Sequence, residues 1–304
     1  MLADVRPALS RFAPTVASAA TGVQVGAAIV ATRFVIGQTS PASLALLRYA
    51  IGFCCLLPPA LLARRGRLER RDLLPIALLG IVQFGVVVAL LNFALQHMSS
   101  TRTALIFATF PLLTMILAAA LGTERLTLAK SLGVLVTLVG VGLALAEKAL
   151  TGNSAPHEWI GALAVFASAV SGALCSVLYR PYVRKYPTLP VSAFAMLAAV
   201  GFLAVLAAGE GFFRALPRFT TQGWLAVVFI GVSSGVGYFL WLWALGRTTP
   251  TRVAVFLALS PVTAAGLGAA FLGEQITPLT LAGLACVAFG LWLAHRQQRV
   301  ALAV

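Results

Sequence analysis

The sequence contains few charged residues: Asp, Glu, Lys and Arg make up 10% of its 304 positions, whereas 60% are hydrophobic. Soluble domains carry about 25% charged residues. A water-soluble fold of this length could not cover its surface with so few polar side chains, so the composition predicts an integral membrane protein.

The net charge of +14 would suggest nucleic-acid binding in a soluble protein. Here the basic residues lie between apolar runs, which indicates orientation in a lipid bilayer and no nucleic-acid partner.

Motifs for catalysis and metal binding are also missing. The four cysteines lie inside apolar runs and have no CxxC spacing, so we interpret them as small packing residues. The three histidines, His97, His157 and His295, are far apart, and no HExxH or Walker sequence is present. The sequence therefore predicts neither an enzyme nor a bound metal or cofactor.

Long apolar runs dominate the chain. A bilayer core about 30 Å thick needs about 20 apolar residues in a helix, and continuous runs of this length exclude barrel strands. The sequence predicts ten transmembrane helices at 15–36, 42–63, 73–95, 101–121, 127–147, 158–179, 188–209, 223–245, 251–272 and 278–296.

The distribution of basic residues predicts the orientation of these helices. With the N-terminus in the cytoplasm, 16 of the 22 Lys and Arg residues fall in cytoplasmic segments and 4 in outer segments. Positive residues favour the cytoplasmic side. Both termini are therefore expected in the cytoplasm, which requires an even number of helices.

An internal repeat divides the chain into two halves. Residues 85–145 match 235–295 at a constant offset of 150, with 19 identical positions out of 61. The identities include Arg102/Arg252, Pro111/Pro261 and Glu124/Glu274, which shared membrane composition does not explain. Because a unit of 150 residues holds five helices, the second copy is inverted in the membrane, as in many transporters. We expect the following units: a cytoplasmic N-terminus (1–14), a first five-helix repeat (15–150), a second, inverted repeat (151–297) and a cytoplasmic tail (298–304).

Spaced glycines on the fifth and tenth helices predict close helix packing. These glycines, Gly133 with Gly140 and Gly283 with Gly290, form a groove on each helix. We expect the two helices to pack at the periphery of the bundle. A dimer interface is the alternative, so the protein is expected to be a monomer or a homodimer.

Three stretches resemble a known family: "PASLALLRYAIGFCCLLP" (41–58), "ALLNFALQHMSSTRTALIFATFPLLTMILAAALGTERLT" (89–127) and "LWLWALGRTTPTRVAVFLALSPVTAAGLGAAFLGEQIT" (240–277). With their proline-to-glutamate spacing, they are similar to the drug/metabolite transporter superfamily, specifically its EamA-type ten-helix exporters. Within it, the chain looks like the amino-acid exporter branch, including the aromatic amino-acid exporters. The resemblance implies a central cavity lined by helices 1, 3, 4, 6, 8 and 9, with helices 5 and 10 outside it.

The acidic residues restrict the mechanism. All eight lie at termini, in loops or at helix ends, whereas pumps that exchange protons for cationic drugs usually need a carboxylate near the bilayer midplane. The sequence therefore favours a facilitator that exports small metabolites across the cell inner (plasma) membrane, with amino acids as the expected substrates. The alternatives are an exporter of another anionic or neutral metabolite and a membrane-embedded enzyme, which would need a polar catalytic cluster.

Two arginines fall within predicted helices. Arg48 lies about two turns inside helix 2, where its guanidinium could bind a substrate carboxylate or, alternatively, clamp backbone carbonyls of a neighbouring helix. Arg33, near the end of helix 1, is expected to reach the lipid headgroups.

Uncharged polar and aromatic residues complete the candidate binding set. Ser234, Tyr238 and Trp241 form one stripe on helix 8, which either lines the cavity or belongs to a packing stripe or an interfacial aromatic belt. Pro111 and Pro261 lie mid-helix and are candidate hinges for alternating access, although membrane helices also tolerate proline structurally. The other candidates are Gln24, Gln83, Asn92, His97 and Ser171.

Overall fold

The computed structural model describes residues 5–62, 68–123, 128–151, 158–257 and 259–300, and the regular elements in these ranges are all helical. A π-helical turn, Ile81–Val86, joins α3 to α4, and a 3₁₀ turn, Ile36–Gln38, follows α1. The helices are α1 (Val5–Val35), α2 (Pro41–Leu62), α3 (Arg70–Gly80), α4 (Val87–His97), α5 (Ser100–Phe107), α6 (Phe110–Ala120), α7 (Leu128–Thr151), α8 (Glu158–Leu178), α9 (Arg180–Lys185), α10 (Thr188–Gly209), α11 (Thr221–Arg247), α12 (Pro250–Phe256), α13 (Leu259–Leu272) and α14 (Pro278–Val300).

Eight helical segments of the described chain are long and apolar enough to cross a membrane. Two further helices carry shorter apolar stretches, Ser131–Gly140 in α7 and Pro278–Gly290 in α14. The predicted all-helical membrane class is confirmed to this extent. The eight segments are Ala13–Gln38, Pro41–Leu62, Arg70–His97, Ser100–Ala120, Glu158–Lys185, Thr188–Gly209, Thr221–Arg247 and Pro250–Leu272.

Short polar residues begin the broken helices of both halves. Ser99 accepts a hydrogen bond from the backbone N–H of Arg102, and Thr249 accepts the same bond from Arg252, 150 residues later. Such side chains satisfy backbone donors that a helix leaves open at its N-terminus. The repeat therefore preserves a helix-capping interaction as well as apolar residues.

Glu274 caps a helix of the other half. Its carboxylate accepts hydrogen bonds from the backbone N–H and the hydroxyl of both Ser100 and Thr101, at 2.7–3.1 Å. A carboxylate at a helix N-terminus accepts hydrogen bonds from the backbone N–H groups that have no partner within the helix, and its negative charge interacts favourably with the helix dipole. The glutamate of the proline-to-glutamate motif therefore ties the end of α13 to the start of α5. Its repeat counterpart, Glu124, lies outside the described residues, as does His157.

Glu210 caps α2 in the same way. Its carboxylate accepts hydrogen bonds from the backbone N–H of Ala42 and Ser43 and from the Ser43 hydroxyl, at 2.8–3.0 Å. Partial burial raises the pKa of Glu210. The hydrogen bonds from residues 40–43 together lower it by more than burial raises it, so that the pKa lies below its ordinary value of 4.5. The ionised carboxylate therefore stabilises the folded state.

Acid should weaken this cap. Because the folded pKa of Glu210 is depressed, its stabilisation is fully present above pH 4.5 and is lost as the pH falls through the folded value. We expect Glu210→Gln to lower the thermal midpoint in detergent by a few degrees at neutral pH and to make the midpoint fall less steeply than that of wild type in acid. Differential scanning fluorimetry across this range measures both effects. Identical pH slopes for the two proteins would contradict the assignment.

The predicted glycine grooves bring α7 and α14 together. A Cβ atom added at Gly140 would lie 2.7 Å from the carbonyl oxygen of Gly283, and one at Gly290 would lie 2.4 Å from that of Gly133. These distances are shorter than van der Waals contact, so the backbones approach as closely as glycine allows. The glycines thus serve packing between these two helices.

Two membrane segments are broken at equivalent places. Residues 108–109 separate α5 from α6, and α12 ends at Phe256, before Pro261 near the start of α13. Pro111 likewise lies in the first turn of α6. Both prolines therefore follow a helix break, where their missing N–H costs little; they do not kink a continuous helix.

Candidate binding cavity

A cavity of about 90 Å³ lies among the helices of both halves. Residues of α1, α2, the π-helical turn, α4, α5, α6 and α11 line it, together with Leu257: Thr21, Gln24, Val25, Arg48, Tyr49, Gln83, Phe84, Val87, Val88, Leu91, Phe107, Phe110, Ser234, Gly237, Tyr238, Trp241 and Leu257.

Five pairs of lining positions are related by the 150-residue offset. The cavity therefore lies where equivalent segments of the two halves face each other. The first half contributes five apolar side chains to these pairs, whereas the second contributes serine, tyrosine and tryptophan in three of them. The pairs are Phe84/Ser234, Val87/Gly237, Val88/Tyr238, Leu91/Trp241 and Phe107/Leu257.

Arg48 is the charged residue among the seventeen described lining residues. Its Nε donates a 2.6 Å hydrogen bond to Ser234 Oγ, and its guanidinium carbon lies 5.4 Å from the centroid of the Tyr49 ring. Ser234 is neutral, and the described residues of the lining include no Asp or Glu. A guanidinium in such an environment attracts an anion, and it matches a carboxylate geometrically.

Polar residues of α1 bridge to α11 beside this arginine. Gln24 Nε2 donates to Ser233 Oγ at 3.3 Å, and the Thr21 hydroxyl contacts the carbonyl oxygen of Gly237 at 3.3 Å. Gly237 permits the approach, since a Cβ atom there would lie 2.5 Å from Gln24 Oε1. The polar wall of the cavity is thus held by contacts between the two halves.

Aromatic rings form an apolar part of the cavity lining, in contrast to the polar residues around Arg48. The Phe84 ring lies 4.8 Å from that of Tyr49 and 4.0 Å from that of Tyr238, centroid to centroid, and Tyr238 stacks on Trp241 at 5.5 Å. Trp241 is buried, which places it inside the bundle and not in an interfacial belt. The cavity therefore combines one cation with an aromatic surface that suits an apolar side chain.

The structure brings six of the nine predicted binding residues to the cavity and leaves three elsewhere. Asn92 is buried and donates a 2.9 Å hydrogen bond to the carbonyl oxygen of Pro41. The imidazole of His97 packs against Phe93 with ring centroids 4.8 Å apart. Ser171 is half-buried, and its hydroxyl donates to the carbonyl oxygen of Ala167 in its own helix. The six residues at the cavity are Gln24, Arg48, Gln83, Ser234, Tyr238 and Trp241.

The helices around the cavity differ from those the resemblance implied. Helix 2 contributes Arg48 and Tyr49, whereas α8, the sixth predicted span, contributes no lining residue among those described. Arg33 also differs from its expectation, because its guanidinium donates to the carbonyl oxygen of Leu95 near the end of α4. Arg33 therefore caps the C-terminal end of a neighbouring helix and does not depend on lipid headgroups for a hydrogen-bond partner.

Sequence reasoning missed the aromatic residues of the first half. Phe84 occupies the position 150 residues before Ser234, so the repeat itself contained the signal that would have identified it. Tyr49 follows Arg48 directly and carried no such signal. Within the described residues, no group of three His, Cys, Asp or Glu side chains is placed to hold a metal ion.

Comparisons with known proteins identify the family. The model of the EamA-like transporter family matches residues 16–146 and again 159–296. A solved structure with 23% sequence identity superposes with a TM-score of 0.73, covering 93% of this chain and 97% of the other, which shows a shared fold.

Curated relatives agree with this match. An uncharacterized transporter of Archaeoglobus fulgidus is 26% identical over 90% of this chain and 95% of its own length. A probable terminal-alkyne amino-acid exporter of Streptantibioticus cattleyicolor is 30% identical over 76% of each chain, and a biotin transporter of Salmonella typhimurium is 28% identical over 54% of each. The chain belongs to the EamA-like transporter family of the drug/metabolite transporter superfamily and is a multi-pass membrane transporter.

Proposed function

We propose that this protein exports small metabolites that carry a carboxylate, with amino acids as the principal substrates. The observation that carries the proposal is Arg48, which lines the cavity, bonds to the neutral Ser234 and has no acidic residue beside it among the described lining residues. The aromatic surface formed by Phe84, Tyr238 and Trp241 suits an apolar substrate side chain. One relative named as a probable amino-acid exporter supports this substrate class.

The proposed topology has ten transmembrane helices in two inverted five-helix repeats, 15–150 and 151–297, with both termini in the cytoplasm. The 16-to-4 distribution of basic residues supports this orientation. The family model, which matches the chain twice, supports the two repeats. We place the protein in the inner (plasma) membrane, as a monomer or homodimer.

Alternating access between the two halves is the proposed mechanism. The cavity lies where equivalent segments of the two halves meet, so a movement of one half against the other would open it to one side or the other. The helix breaks before Pro111 and Pro261 lie at equivalent places and supply candidate hinges. Since the lining holds no carboxylate to carry a proton, we propose facilitated transport down the substrate gradient.

Counterflow into proteoliposomes tests this function. Vesicles loaded with an unlabelled amino acid should accumulate the labelled form, and a panel of amino acids should identify the preferred one. A second panel of small anions and neutral metabolites, including biotin because of one relative's name, tests the alternative substrates. Folded protein that moves no amino acid faster than empty liposomes would overturn the amino-acid proposal.

A further inference from the structure

We propose that Gln83 is the hydrogen-bond acceptor for the amino group of the substrate, and that it makes this transporter select α-amino acids over the matching carboxylates that lack this group. The inference rests on the proposed function, and it assigns the residue that decides between the two substrate classes. It is carried by the unpaired side-chain oxygen of Gln83 and by the way the surrounding helices hold that residue.

Gln83 belongs to the cavity lining and carries an unpaired acceptor that is buried in this conformation. This acceptor is its side-chain Oε1 atom. A buried acceptor left unpaired is costly, and sites that keep such a group are often completed by a ligand. A substrate N–H donor placed in the cavity would pair with this oxygen.

A π-helical turn presents Gln83. The N–H of Val87 donates to the carbonyl oxygen of Val82, five residues earlier, which defines the wider turn. Two side chains of α8 brace its ends: Ser168 Oγ donates to the carbonyl oxygen of Val87 at 2.8 Å, and Cys175 Sγ contacts that of Leu79 at 3.8 Å. Single π turns inside α-helices occur frequently at functional sites.

Two glycines fix this turn against α10. A Cβ atom at Gly80 would lie 2.2 Å from the carbonyl oxygen of Ala195, and one at Gly85 would lie 2.6 Å from the Phe202 ring. The segment therefore has little freedom to rotate. An acceptor held in this way needs little reorganisation when a substrate binds, which increases its value for recognition.

The equivalent residue in the second half cannot play this part. Ser233, 150 residues after Gln83, already accepts a hydrogen bond from Gln24. The Tyr238 hydroxyl also belongs to a residue of the lining and lies beside Tyr179, but a hydroxyl can donate to a carboxylate as readily as it accepts from an amine. Gln83 is therefore the group that distinguishes an amino acid from its des-amino analogue.

A zwitterion fits the charges of the cavity. Arg48 supplies one positive charge for the substrate carboxylate, and the lining has no acidic residue for a free cation. The substrate ammonium must then be neutralised by its own carboxylate and hydrogen-bonded by a neutral acceptor. Gln83 Oε1 provides this acceptor without adding a charge.

Competition in the counterflow assay tests the assignment. The tracer is the amino acid identified by the panel, and the competitors are the same amino acid unlabelled and its des-amino carboxylate (for phenylalanine, 3-phenylpropanoate). Wild type should prefer the amino acid by about 10- to 100-fold, the range expected for one hydrogen bond to a charged group. Gln83→Leu, which keeps the size of the side chain, should bring the ratio close to one, whereas Gln96→Leu, at an exposed amide of the same membrane segment, should keep it.

The outcomes separate this inference from the proposed function. Amino-acid transport by wild type with equal affinity for the des-amino analogue would overturn the role of Gln83 and leave the function intact. An unchanged ratio in folded Gln83→Leu would do the same. If no amino acid is transported, the proposed function fails with the inference. The wild-type ratio needs no variant, so the test stands even if Gln83→Leu does not fold.

Discussion

Replacing Arg48 with alanine should reduce transport of carboxylate-bearing substrates by about 10- to 100-fold, because the variant loses a charged hydrogen-bond donor in a low-dielectric cavity. Arg48 is the charged group of the described lining. Counterflow with the amino acid from the panel measures the loss. Arg48→Lys keeps the charge but not the planar donors, so it should recover only part of the activity.

Binding by Arg48 can be separated from a structural role. Its bond to Ser234 joins α2 to α11, so Arg48→Ala is compared with wild type by thermal midpoint and size-exclusion elution. A role in binding predicts a raised KM for carboxylates with folding retained. Arg184→Ala removes an exposed arginine at the end of α9 and should transport at the wild-type rate. Full transport by folded Arg48→Ala would contradict the assignment.

Gly22→Ala should have the second large effect, on folding and on transport together. A Cβ atom at Gly22 would lie 2.0 Å from the carbonyl oxygen of Phe256, where α12 ends. The adjacent contact is also close, since a Cβ atom at Gly26 would lie 2.5 Å from the Ser260 carbonyl oxygen. Because backbone atoms cannot move aside as a flexible side chain can, α1 must shift away from the helix break. Such overpacking typically costs about 1–3 kcal/mol.

Differential scanning fluorimetry and counterflow measure this effect. We expect a thermal midpoint several degrees below that of wild type. We also expect slower transport, because α1 is displaced from the helix break. Gly266→Ala is the matched control, since it makes the same change in helix α13 with nothing within 4 Å of the added atom. It should be neutral or stabilise by about 0.5–1 kcal/mol. Equal midpoints for the two variants would show that the approach of α1 to α12 is not tight.

The pattern of residues along the chain was sufficient to predict the class of protein and the similarity between its two halves. Apolar runs predict membrane helices because a bilayer requires internally bonded backbone and apolar side chains at every position of a span. The helical spacing i, i+4, i+7 placed Ser234, Tyr238 and Trp241 in one stripe, which the structure brings to the cavity. The glycine pairs of α7 and α14 were likewise readable, since close backbone approach depends on residue size alone.

The choice between similar polar residues was made by tertiary contacts. Gln83, in the π-helical turn, and Asn92, in α4, are amides of one membrane segment, nine residues apart. Asn92 bonds to the Pro41 carbonyl oxygen, whereas Gln83 Oε1 stays unpaired at the cavity. Which face meets the cavity depends on the neighbouring helices, and the sequence of this segment does not contain that information.

The sequence by itself thus determined the membrane class, the repeat and the presence of arginines within membrane spans, because each follows from local composition or from spacing along the chain. Only the tertiary structure decided that Arg48 faces the cavity beside Ser234, that Arg33 caps α4, and that Glu274 joins the two halves. These contacts link residues 62 to 186 positions apart. Their partners are fixed by how the helices pack and rotate, which apolar periodicity in spans that are hydrophobic on all sides does not specify.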